Sequence, residues 1–182
     1  MMRLLAVAAA IVALALSSRL DVPMVPVPMT LQTLAVLLVG LFYGPLWGGI
    51  AVAAWLALGA LGAPVFAGGE GGTAHLLGPT GGYLVGFLVA AIFMGWLGGR
   101  EWKGARPLRA FVAMLAGHAI CLGLGALWLS RSIGLADAIG GGVTPFLIGA
   151  VVKSATGAAI AYLAWRLTKA AKVSAATGGE HR

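Results

Sequence analysis

Six apolar runs separated by glycine-, proline- or arginine-bearing breaks constrain this chain more than any single residue does. They lie near Leu4 to Ser17, Leu31 to Phe42, Pro45 to Leu61, Gly82 to Leu97, Leu108 to Leu129 and Phe146 to Leu167. Hydrophobic residues make up 60% of the 182 positions and charged ones only 9%. With a mean hydropathy of +0.99, this is far more apolar surface than a soluble core can bury. The chain is therefore read as an all-α integral membrane protein. It has room for about six spanning helices of ~20 residues in a single domain over 1–182.

The formal charge of +7 could suggest nucleic acid, but the basic residues flank apolar runs instead of forming a patch interleaved with aromatics. Membrane topology explains them better. With the amino terminus cytoplasmic, the inner side carries Arg3, Arg100, Lys103, Arg106, Arg109, Arg166, Lys169, Lys172 and Arg182, whereas the outer side keeps Arg19 and Arg131. The positive-inside rule then places both termini inside, with 169–182 as a short basic cytoplasmic tail. Met1 to Ser18 also has the outline of a signal peptide: Arg3, an apolar stretch and then small residues. A retained first helix is the expectation, because cleavage would leave five spans with the termini on opposite sides.

The unusual chemistry lies in the three outer connections, Arg19 to Thr30, Gly62 to Pro79 and Ser130 to Val143. The second apolar run is too short to cross ~30 Å of hydrocarbon alone, so its approach segment, Val22 to Thr30, is expected to dip below the outer surface. Pro23, Pro26 and Pro28 make that segment extended. Irregular backbone at depth survives where it is buried in protein or lines a cavity, so a pocket near the outer face is implied. Glycine runs around Glu70 and before Tyr83 permit close approach of backbone to a ligand, though simple turns would look the same. They are not phosphate loops, because no strand precedes them and no Lys-Ser/Thr follows.

Lys153 is the other outlier. It lies about nine residues into an apolar run, so a rise of 1.5 Å per residue puts its ammonium roughly 13 Å below the membrane surface. Such a charge must face the bundle interior, water or a partner, and it marks a candidate functional site; snorkelling is disfavoured because both ends of the run are distant. Cys121, the single cysteine, falls inside an apolar run and is expected to pack. His75 and His118 have no neighbouring ligands at metal-binding spacing. Ala6, Ala9, Ala10 and Ala13 give the first helix two small-xxx-small pairs suited to close helix contact. Trp47, Trp96, Trp102 and Trp165 fall near the inner boundary, where tryptophan anchors helices.

Four segments together resemble one known family. Val27-Pro-Met-Thr-Leu-Gln-Thr33, Ala63-Pro-Val-Phe-Ala-Gly-Gly69, Leu77-Gly-Pro-Thr-Gly-Gly-Tyr83 and Pro145-Phe-Leu with Lys153 are similar, in this order from about Met24 to Ser154, to the BioY family. Its members are the biotin-specific substrate-capture subunits, or S components, of energy-coupling-factor transporters. The resemblance implies a multi-pass protein of a prokaryotic plasma membrane that binds biotin from outside. It also implies partners, namely a coupling transmembrane subunit and ATPase subunits, besides membrane lipid; a second copy of the chain is a further candidate, and nucleic acid is not. The sequence departs from the family at the sixth helix, where Pro-Phe-x-Pro-Gly-Asp-x-x-Lys is typical. This chain has Ala150 in place of the aspartate one turn before Lys153, and Glu70 is the candidate to supply the missing charge.

Biotin offers an apolar bicyclic ring, a ureido group with two donors and one acceptor, and a carboxylate. A suitable pocket is mostly apolar with a few placed polar groups. The candidate ligand-binding set is Thr30, Gln32, Glu70, Thr80, Tyr83 and Lys153. Glu70 or Gln32 can accept from a ureido N–H, while Lys153 can donate to the ureido oxygen or pair with the carboxylate; both poses remain open. Thr30 can equally cap the second helix, Gln32 cross-link helices, Tyr83 anchor at the interface and Glu70 remain a solvated loop carboxylate. No cofactor is implied beyond biotin as transported substrate. Catalytic and ATP-hydrolysing motifs are missing from the sequence, so energy is expected to come from separate subunits. The alternatives are an S component for another small vitamin-like solute, an intramembrane enzyme, or a structural subunit.

Overall fold

The computed structural model describes residues 1–98 and 106–178, with side chains as far as Lys172. Arg100, Trp102, Lys103 and the end of the basic tail beyond 178, with Arg182, lie outside the described residues. The elements are α1 (Met2–Ser17), a two-residue pair β1 (Asp21–Val22) and β2 (Met29–Thr30), α2 (Gln32–Ala60), a short 3-10 turn (Ala67–Gly69), α3 (Thr73–Leu77), α4 (Gly81–Gly98), α5 (Pro107–Ile133), α6 (Leu135–Gly142) and α7 (Phe146–Gly178). Among the described residues, four of these helices, α2, α4, α5 and α7, are long and apolar enough to cross a membrane.

Although α2 spans 29 residues, it is not one rod. At Gly44 the backbone takes φ 81° and ψ 175°, a region essentially reserved for glycine. Pro45 follows, with no N–H to continue the first ladder and a φ suited to starting a new one. The two halves, 32–43 and 45–60, fold back on each other. A Cβ placed on Gly48 would lie only 3.0 Å from Gly40 Cα, whereas eight residues of straight helix span about 12 Å. The sequence break before Pro45 is therefore a hairpin turn.

Around this hairpin, α1 packs on α2, α2 on α4, α4 on α5, and α5 on both α6 and α7. The main core joins Leu14, Leu37, Trp55, Phe66, Phe87 and Met94, among others. One end of the bundle holds Arg3, 5.4 Å above the Trp47 ring, together with the Gly44 turn and the end of α4, where a Cβ on Gly98 would lie 2.8 Å from Leu41 O. Leu46, Val85, Val112, Leu127, Ile148 and Leu163 are exposed on the periphery. That pattern suits lipid, where apolar periphery carries no hydration cost. It agrees with the sequence reading of a multi-pass, all-helical membrane protein.

The connection expected over Ser130 to Val143 is mostly helical. Alpha-helix α5 runs on to Ile133, breaks at Gly134 with φ 84°, and the chain re-enters a helix as α6. Leu135 to Ile139 are good helix formers apart from Asp137, which sits in the first turn where a carboxylate suits the helix dipole. Only the glycine breaks the run.

Candidate functional site

The main cavity is built where the proline segment, the glycine loop and the ends of α4, α5 and α7 meet. The proline segment leaves α1 and returns along itself: Asp21 pairs with Thr30 and Val22 with Met29 in antiparallel register. A further bond from Leu31 N–H to Leu20 O, 3.1 Å, closes the loop against α1. This folds Val27 inward, where it is 4% exposed and packs with Tyr83, Leu129, Ala138 and Phe146.

Indole groups fasten the glycine loop. Trp55 Nε1 donates to Val65 O at 3.2 Å, and Trp128 Nε1 donates to Gly78 O at 3.0 Å. Both bonds give a loop carbonyl a side-chain partner. Phe66 is fully buried, edge-on to Trp55 at 5.3 Å and stacked on His75 at 5.6 Å. Thr80 Oγ1 donates to His75 O at 3.1 Å. On the opposite side, Tyr83 lies over Gly125, where any Cβ would collide with its ring, and its hydroxyl donates to Gly142 O at 2.7 Å. The small residue at 125 thus admits the ring, and the hydroxyl ties α4 to the end of α6.

Inside is a narrow slot. Its empty volume, counting the open mouth, is ≈ 640 Å³. Phe66, Leu84, Phe87, Leu122 and Phe146 supply apolar walls, and Thr30, Gln32, Thr80, Tyr83, His118 and Lys153 supply polar ones. Lys153 Nζ donates to Thr30 O at 2.8 Å, so the intramembrane ammonium is fixed to the proline segment immediately before α2. Two of its three protons remain for other acceptors. Thr30 Oγ1 accepts from Gln32 N–H at 3.3 Å and donates to Gln32 Oε1 at 3.0 Å.

Those bonds define what is left unpaired. Among the described residues, two buried side-chain nitrogens have no partner, Gln32 Nε2 and His118 Nε2, and both residues line this slot. Each such atom forfeits its hydrogen bonds to water without a replacement, at about 1–3 kcal/mol. Unpaired polar atoms concentrated in one cavity make it the candidate ligand site.

Five of the six sequence-selected residues, Thr30, Gln32, Thr80, Tyr83 and Lys153, come together here. Glu70 does not. Its carboxylate is largely exposed, lies 3.2 Å from His75 Nδ1, and lines a separate, more open pocket with Asp21, Pro23 and Gly78. It therefore does not supply the charge beside Lys153; the neighbour the lysine has is the Thr30 carbonyl. Gln32 Oε1 accepts from Thr30 Oγ1, and the unpartnered end of its side chain is the amide NH2. His118, set aside in sequence as an isolated histidine, lines the slot, as do Phe66 and Ala150. The signal for His118 was its place on a long apolar helix, where an imidazole is as anomalous as a lysine.

Fold and site together define a multi-pass helical membrane protein with a small-molecule pocket of few polar groups at one end. A family-wide sequence model described as the BioY family matches residues 1–170. The chain belongs to the BioY family. A probable biotin transporter BioY of Pyrococcus horikoshii is 40% identical over 144 residues, covering 79% of this chain and 84% of the relative. The biotin transporter BioY of Thermotoga maritima is 38% identical over 143 residues, covering 78% and 83%. Among solved structures, the S-component for biotin from an ECF-type ABC transporter superposes with a TM-score of 0.81 at 28% identity, covering 92% of this chain and 91% of that one.

Proposed function

We propose that this chain binds biotin from the outer face of a prokaryotic plasma membrane and mediates its uptake as the S component of an ECF-type transporter. The observation that carries this reading is the slot itself: aromatic and aliphatic walls for an apolar bicyclic ring, with a fixed ammonium and unpaired polar atoms for a ureido group and carboxylate. Family membership and the likeness to a biotin S-component support it.

In this reading the chain crosses the membrane six times with both termini cytoplasmic, the two halves of α2 counting as separate crossings joined by the Gly44 turn. Thr30, Gln32, Thr80, Tyr83 and Lys153 contact the ligand. Energy comes from a separate coupling subunit and ATPases, and the chain is a binding subunit without catalysis of its own. The test is purification of the full chain under mild conditions, mass spectrometry of what co-purifies, and calorimetric titration with biotin. Stoichiometric biotin, or tight binding after its removal, is expected. Absence of both would refute the reading.

A further inference from the structure

The pocket's two unpaired atoms are of opposite hydrogen-bonding type, and the structure determines which is which. His118 Nδ1 lies 2.9 Å from Met114 O, a carbonyl on its own helix. A carbonyl only accepts, so Nδ1 carries a proton. The second contact at that nitrogen, Ser154 Oγ at 3.1 Å, comes from α7 and pins the ring between two helices. Both His118 and Ser154 are buried, at 3% and 0% exposure. In the neutral imidazole with Nδ1–H, Nε2 is a lone-pair acceptor. Gln32, 3% exposed, has its amide oxygen engaged by Thr30, so its free Nε2 is a donor.

A cyclic urea presents the reverse pattern, N–H donors flanking a C=O acceptor. Ala150, buried in the same wall, offers no acceptor at the position one turn from Lys153. We propose that His118 is a ligand-contacting, specificity-determining residue: its Nε2 accepts a ureido N–H of bound biotin, while Gln32 Nε2 and Lys153 Nζ face the acceptor groups of the same ligand. The assignment rests on the biotin reading above. Ser154 and the Met114 carbonyl act through His118 by holding its tautomer and ring orientation, and so they are positioning groups.

The experiment uses the full chain in detergent, titrated calorimetrically with biotin and with biotin methylated at either ureido nitrogen. His118→Asn keeps a donor near the Nδ1 position and removes the Nε2 acceptor; His118→Gln places an acceptor near Nε2. Biotin affinity is expected to fall at least about tenfold in His118→Asn, equivalent to roughly 1.4 kcal/mol, and to stay within about threefold in His118→Gln. Methylation of one ureido nitrogen is expected to weaken wild-type binding at least about tenfold but His118→Asn by no more than about twofold, since the bond is already gone. A merely structural histidine would leave that methylation penalty unchanged, and such a result overturns the proposal. So does wild-type protein that binds both methylated forms as tightly as biotin, a result that needs no variant to fold. Failure of the wild type to bind biotin at all refutes the functional reading instead.

Discussion

Replacing Lys153 with methionine separates a ligand-binding lysine from a structural one. The ammonium has three N–H groups, one of which is committed to Thr30 O at 2.8 Å. A hydrogen bond to a charged group contributes about 1.5–3 kcal/mol, so loss of one such bond to biotin weakens binding roughly ten- to hundredfold. The effect on folding has two opposing parts. Removing a charge from the membrane interior relieves about 2.5–3.5 kcal/mol, and stranding the Thr30 carbonyl costs about 1–3 kcal/mol. These nearly cancel, and the unbranched Met side chain fills much of the lysine stem's volume. Lys153→Met is therefore expected to insert, stay monodisperse and melt within a few degrees of wild type, while calorimetry shows biotin affinity reduced at least about tenfold. Ala150→Asp, which puts a carboxylate on the same helix face one turn away, is expected to fold and to retain binding. Unchanged affinity in Lys153→Met, with the protein intact, would show that the lysine merely braces the proline segment.

Three further outcomes follow from the architecture. A cysteine at Gly140, where an added Cβ meets nothing within 4 Å, is expected to label from outside intact cells, and one at Leu108 only after permeabilisation; native Cys121 is buried and silent, and the opposite accessibility refutes the orientation. Trp in place of Ala9, an exposed position beside buried Ala10 on α1, should lower uptake and recovery of the complex with the coupling subunit while calorimetric biotin binding persists; loss of binding as well would mean that the face packs internally. Gly44→Ala forces a side chain into φ 81°, ψ 175° and should cost about 1–3 kcal/mol of stability, seen as a lowered Tm; an unchanged melt would mean that the hairpin turn tolerates another backbone path.

Apolar composition and the spacing of breaks were enough to specify a helical membrane protein, because lipid leaves a chain no other way to satisfy its backbone than helices or closed barrels. The same one-dimensional pattern located the Gly44-Pro45 break, the extended proline segment and Lys153, since each is a local violation: a residue that cannot continue a helix, or a charge where none should be. The four motifs carried the family resemblance. Pairings were out of reach. Nothing local to Glu70 indicates that it turns outward to His75, nor to Lys153 that its neighbour is a carbonyl 123 positions earlier in the chain. Which end of the Gln32 amide is left without a partner depends on where Thr30 Oγ1 lies. His118 reads as an isolated histidine until α7 brings Ser154 to its Nδ1 and leaves Nε2 beside the slot. Sequence thus determines which groups are costly to bury, because that cost belongs to each residue and the membrane. Which group meets which depends on helices crossing at residues far apart along the chain, and only the tertiary structure decides that.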